Sequence, residues 1–242
     1  MRGLVESWSY RTVPWDFLLI FIVLAVIVPW RGWARLQSLL ALPSISSRDR
    51  VSLYLTSIAT QWIVTAVIAW RAFARGFSLS SLGVRFEPVW ELSLFGILGA
   101  ALIGLAHWFN LRRVSRSNSP AAERIKALAA KIFPHTNREA AIFCGLAVTA
   151  GICEEFLYRG FVFGALTHVA APVWSVLLIS SVLFGLAHAY QGPGGMLGTL
   201  ILGTVFGLMR ILYGSLVPVV FWHAAVDLVA GFAGKRYLIE NQ

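Results

Sequence analysis

Residues Val51–Trp70 read VSLYLTSIATQWIVTAVIAW, an unbroken run without a formal charge. Wound as a helix at about 1.5 Å per residue, such a run covers the roughly 30 Å of hydrocarbon in a bilayer. Pro88–Phe109 repeats the pattern, with Glu91 near its start as its one Asp, Glu, Lys or Arg. A soluble core helix has no need of either length or uniformity. In hydrocarbon, by contrast, every backbone amide must be satisfied within the segment, which a helix does.

Working outward from these two stretches, further apolar blocks lie at Phe17–Trp30, Ala140–Thr167, Val173–Tyr190, Met196–Tyr213 and Leu216–Phe232. The fourth block, Ala140–Thr167, is too long for one straight span; it is either one tilted helix or two pieces broken near Gly151. The chain is therefore expected to be all-α, a polytopic membrane bundle of about seven to eight transmembrane segments. Its composition agrees: 58% of residues are hydrophobic and 13% charged, about half the charged share of a soluble domain. The net charge of +9 sits mostly in the connections, as expected beside headgroups, and accompanies no nucleic-acid reader motif, so nucleic acid is not a partner. Cys144 and Cys153 both fall inside an apolar block and suggest no disulfide framework. After Phe17–Val28 comes Pro29-Trp30-Arg31-Gly32-Trp33 rather than a small-residue cleavage site, so this block reads as a first membrane helix and not a signal peptide. The expected location is a multi-pass position in a bacterial-type cytoplasmic membrane.

The chain divides into residues 1–139, membrane helices with basic loops; 140–234, a bundle with short uncharged links; and 235–242, a short tail. Short links make consecutive helices antiparallel neighbours. Gly160/Gly164 and Gly203/Gly207 are spaced for close helix approach. In the loop Asn110–Glu139, Ser119-Pro120 suits a helix start, and Ile125, Leu128, Ala129 and Ile132 recur at helical spacing opposite Arg124, Lys126 and Lys131. This predicts a basic amphipathic helix on the membrane surface or a solvated linker helix. Basic loops fall on both sides if every block spans; Asn110–Glu139 is expected on the cytoplasmic side.

The chemistry concentrates between Ala140 and Gly234. Leaving Tyr and Cys aside, its ionisable residues are Glu154, Glu155, Arg159, His168, His188, Arg210, His223 and Asp227. A charge in hydrocarbon costs several kcal/mol, about 2.5–3.5 on insertion scales, so such residues normally face a bundle interior and work there. His168 and Arg210 lie near block ends and reach the interface by snorkelling. Glu155 and Arg159, four apart, share a helix face and neutralise each other, whereas Glu154 lies about 100° away and is left for acid–base work. His188 follows Phe184 at the same spacing, and His223 precedes Asp227. The bland alternatives are a structural ion pair for Glu155/Arg159, helix–helix hydrogen bonds for the histidines, and an inert buried thiol for Cys153. No His-Glu-x-x-His and no Gly-x-Ser-x-Gly occurs, which removes two other protease types.

Glu154-Glu155-x-x-x-Arg159, Phe184-x-x-x-His188 and His223-x-x-x-Asp227, in this order on successive apolar blocks, resemble the CPBP (ABI) family of intramembrane proteases, which includes the Ras-converting CAAX prenyl endopeptidases. The resemblance spans roughly Ala140–Gly234. It implies hydrolysis of a peptide bond in a membrane-tethered or lipid-modified (CAAX-type) protein, or a leader peptide, that enters from the bilayer. It also implies that Glu154 activates water with His188 assisting, that His223 and Asp227 stabilise the oxyanion, and that Glu155, Arg159 and Phe184 support them. One departure stands out. The family often has Asn where this chain has Asp227, and an ionised Asp cannot donate to an oxyanion; it must be protonated, orient His223 or bind metal. Two mechanisms are open: a metal-free one, which is preferred, and one in which Glu154, His188 and His223 ligate zinc. The rival class is a non-enzymatic scaffold, an immunity-type protein or a small transporter, since buried polar groups also build ion pathways.

Overall fold

The computed structural model describes residues 12–240; positions 1–11 of the expected first unit and 241–242 of the expected tail lie outside them. Among the described residues there are eight helices and no strand: α1 Trp15–Ala41, α2 Ser47–Ala74, α3 Val89–Ser115, α4 Pro120–Ile132, α5 Asn137–His168, α6 Val173–Ala187, α7 Gly192–Tyr213 and α8 Val217–Lys235, which runs on as a π-helical turn through Glu240. Six are long and apolar enough to cross a bilayer, and α6 is a shorter apolar helix. The chain is a multi-pass membrane protein.

Two of the helices differ from their sequence reading. The first apolar block is expected to stop near Trp30, yet α1 continues through Pro29 to Ala41. Proline lacks the N–H that would bond the carbonyl four residues back, and the π-helical stretch Val23–Ile27 just before it widens the ladder where that bond is lost. The long fourth block does not break at Gly151. It is one helix, α5, whose register changes later, in a π-helical stretch Phe156–Val162 directly after the two glutamates. Gly151 instead lets α8 approach: a β-carbon there would sit 3.0 Å from the Val220 carbonyl oxygen and 3.2 Å from the Ala224 nitrogen.

Ion pairs at both ends fix which termini lie together. At one end, Arg50 near the start of α2 donates to Glu139 near the start of α5 at 3.1 Å, both side chains buried. There too Lys131 of α4 donates to the carbonyls of Leu39, Leu40 and Leu42 at the end of α1, and Tyr54 donates to the Ile132 carbonyl at 2.6 Å. At the other end, Asp16 at the start of α1 accepts from Arg71 at 2.6 Å and Arg75 at 3.0 Å at the end of α2. Of the described basic residues, apart from the buried Arg159, all but Arg71, Arg75, Arg85 and Arg210 belong to the α4 end. The sequence count is ambiguous because Arg71 and Arg75 look like free positive charge until Asp16 is seen to neutralise them.

The surface helix forms as expected, with Ser119 accepting from the Ala122 nitrogen at 3.2 Å, but it is turned. Its buried residues are Ala122, Lys126 and Ala129, packed against Leu111 and Leu238, while Ile125 is exposed. Lys126 reaches the Ser117 carbonyl and Glu123, so its stem fills the seam and its charge is satisfied locally. α4 is therefore docked on the bundle.

The main core crosses the expected boundary at residue 139. Phe17, Leu24 and Ile68 from the first two helices and Phe77 and Leu82 from the α2–α3 link pack with Phe161, Phe184, Phe206 and Trp222. Gly203 and Gly207 serve close helix approach, to Arg159 and Phe184 and to Leu177 respectively. Gly160 and Gly164 instead admit the α2–α3 link at Leu82 and Phe77.

Candidate active site

α5, α6 and α8 deliver the polar groups. Glu154 and Glu155 end the α-helical part of α5, and the π-helical stretch beyond them carries Arg159. Its widened ladder is supported from outside, since Ser180 of α6 donates to the Tyr158 carbonyl at 2.8 Å. His188 caps the C-terminus of α6, and His223 and Asp227 lie one turn apart on α8.

Glu154 Oε2 is the meeting point. It stands 4.0 Å from His188 Nε2 and 3.9 Å from His223 Nε2, while Asp227 Oδ2 lies 3.8 Å from the same His223 nitrogen. The gaps are too wide for direct hydrogen bonds, but one water can reach both partners at about 2.8 Å. Glu154, His188 and Asp227 keep some exposure, with Asp227 the most open at 35%, so the cluster faces accessible space.

Behind it lies a dry layer. Glu155 and Arg159 are both fully buried, and Arg159 Nη1 donates to Glu155 Oε1 at 2.9 Å. His223 Nδ1 is 2.7 Å from the same oxygen. A carboxylate only accepts, so Nδ1 carries the proton and Nε2 is turned to the cluster. His188 is fixed likewise: its Nδ1 lies 2.8 Å from the Phe184 carbonyl, which leaves Nε2 as the acceptor of the neutral ring. Phe184 is 2% exposed and joins the two layers, with its ring 4.6 Å from His188 and 5.8 Å from His223, and the Arg159 guanidinium 4.2 Å above it. That contact and the Phe206 ring, 5.5 Å from the same guanidinium, partly offset the burial of a charge whose Nε and Nη2 have no hydrogen-bond partner.

All seven residues singled out in the sequence lie in this one assembly. Two relations are not legible there. Glu155 is expected to be occupied by Arg159 alone, yet it also orients His223, a job assigned as one option to Asp227. The second is Tyr190, whose ring lies 5.9 Å from His188 and which would be 3.4 Å from a β-carbon at Gly32 of α1. It ties the first helix to the site, and only its position two residues after His188 could have flagged it.

The proposed zinc ligands do not compose a metal site as placed. Tetrahedral zinc with bonds of about 2.0–2.1 Å holds its ligand atoms roughly 3.3 Å apart. Here the Glu154–imidazole separations are 3.9 and 4.0 Å, and no group of three His, Cys, Asp or Glu among the described residues is arranged to hold a metal ion.

Residues 136–229 match the family model described as type II CAAX prenyl endopeptidase Rce1-like. The match contains every residue of the site and is the family that the motifs resemble. No curated protein and no solved structure matches the chain.

Proposed function

We propose that this protein is an intramembrane endopeptidase of the CAAX type, hydrolysing a peptide bond near the membrane-tethered end of a protein with water activated by Glu154 and His188. The observation that carries the reading is the position of one carboxylate oxygen, Glu154 Oε2, within 4.0 Å of two imidazole nitrogens held by partners that fix their tautomers. The family match supports the substrate class.

A water between Glu154 Oε2 and His188 Nε2 donates one hydrogen to each, which leaves a lone pair for the carbonyl carbon. Glu154 takes the proton as the C–O bond forms. His223 Nε2, when it bears hydrogen, donates to the oxyanion, and Glu155 holds the ring in place from Nδ1. Glu154 then returns its proton to the departing amine as the C–N bond breaks, giving a carboxylate and an amine. Asp227 adds a donor only when protonated; ionised, it stabilises the charge of His223. No step is routed through zinc. The basic α4 end is read as cytoplasmic by the positive-inside bias.

Glu154→Gln keeps shape and polarity but cannot accept the proton. In detergent, with a farnesylated CAAX peptide, this substitution is expected to lower turnover by at least about 100-fold, the scale of lost general-base catalysis. Full activity in Glu154→Gln would overturn the assignment.

A further inference from the structure

Where this fold shelters a cation it supplies an anion or an array of carbonyls. Arg50 has Glu139, Arg71 and Arg75 have Asp16, Arg159 has Glu155, and Lys131 has three backbone oxygens. Arg85 and Arg210 break the pattern. They lie at the end of the bundle opposite α4, close enough for each to feel the other's charge, and neither forms an ion pair among the described residues. Arg210 makes one hydrogen bond, from Nη2 to the Ser81 carbonyl at 3.3 Å, and its Nε is buried with no partner.

The backbone is shaped around the two guanidiniums. Gly83 and Gly214 both have positive φ, +75° and +64°. A β-carbon at Gly83 would fall 2.3 Å from Arg210 Nε, and one at Gly214 would fall 3.2 Å from Arg85 Nη1. The two turns are laced together: the Leu216 nitrogen donates to the Gly83 carbonyl at 2.8 Å, and Ser215 Oγ donates to the Arg85 carbonyl at 2.6 Å. Arg210 in the last turn of α7 gains something from the helix dipole, but this does not explain a second arginine beside it. The depth is informative as well. Trp15, Trp70, Phe86, Trp90 and Trp174, all near helix ends on this side, are each more than 60% exposed, which is the aromatic belt of a headgroup layer.

We infer that Arg85 and Arg210 form a seat for a phosphate group, supplied by a phospholipid headgroup at the boundary of the bilayer. Paired guanidiniums present parallel N–H donors suited to phosphate oxygens, and an anion there relieves their mutual repulsion and takes up the stranded Nε–H. The seat is separate from the Glu154 cluster and does not depend on its chemistry.

The test uses the full chain, delipidated in nonionic detergent and monitored by native mass spectrometry during titration with short-chain phosphatidylglycerol, short-chain phosphatidylcholine or inorganic phosphate. Both lipids carry the phosphodiester and are expected to fill one saturable site. Arg85→Gln, a change to an exposed side chain that leaves the fold intact, is expected to weaken that site about tenfold, the worth of one charge-assisted hydrogen bond. Arg112→Gln, at the other end, is expected to leave it unchanged. Inorganic phosphate that displaces lipid in the wild type but has no effect in Arg85→Gln would keep the phosphate seat and make free phosphate its ligand. Equal lipid and phosphate binding by wild type and Arg85→Gln would overturn the inference.

Discussion

Glu155→Gln tests whether the dry layer holds the site together. Glu155 Oε1 accepts from Arg159 Nη1 at 2.9 Å and faces His223 Nδ1 at 2.7 Å, with Glu155 and Arg159 fully buried. A charge-assisted hydrogen bond contributes about 1.5–3 kcal/mol and a neutral one about 0.5–1.5, so converting both removes about 2–3 kcal/mol. Arg159 is then left charged without a counter-ion, eased only by the Phe184 ring at 4.2 Å. Together these put the loss of stability at about 3–4 kcal/mol, within the range for breaking a buried pair. Removing both charges in Glu155→Gln/Arg159→Met is expected to bring stability back to within about 1 kcal/mol of wild type, because no orphaned charge remains. Turnover is expected to stay at least about 100-fold down in both variants, since His223 loses the carboxylate that supports it as an oxyanion donor. Reversible unfolding in mixed micelles, read by tryptophan fluorescence, gives the first quantity, and cleavage of a farnesylated CAAX peptide gives the second. A single variant within about 1 kcal/mol of wild type, or a double variant as unstable as the single, would refute the reasoning.

Gly99→Ala is expected to destabilise the protein by about 1–3 kcal/mol, the usual range for overpacking. Its β-carbon would lie 2.1 Å from Nε1 of Trp222, the residue before His223, and would force the indole out of its 3.2 Å hydrogen bond to the Phe95 carbonyl; an unchanged unfolding midpoint would contradict that packing. Peptide cleavage is expected to persist in excess EDTA or phenanthroline, because Glu154, His188 and His223 are too far apart for a shared zinc ion. Complete loss of activity restored by zinc would reverse this.

Features set by the solvent and by spacing along one helix are legible in the sequence. Lipid as solvent is written in Val51–Trp70, and the pairings Glu155/Arg159 and His223/Asp227 come from helical periodicity. Features that depend on contacts between distant segments escape it. Nothing near Glu155 announces that His223, on another helix, will lean on the same oxygen. Nothing near Lys126 says that its helix will dock with that side chain inward, because the apolar stripe Ile125/Leu128/Ile132 is as regular as the Ala122/Ala129 face that wins by letting the backbone come closer. Pro29 signals a helix end by its local rule, and a widened turn upstream overrides it.

The π-helical stretch between Glu155 and Phe163 has a consequence for how this chain can change. Such a stretch holds one residue more than an α-helical ladder would accommodate, and the surplus sets the angle between the carboxylates above it and Phe163 and Gly164 below. Losing any single residue from 156–162 would straighten the rod and swing everything downstream by roughly 100°. Gly164 would then turn away from Phe77 and Leu82, whose link needs the missing side chain. Over these seven positions the number of letters is held more tightly than their spelling, so descendants of this sequence should vary here by exchange and scarcely ever by deletion.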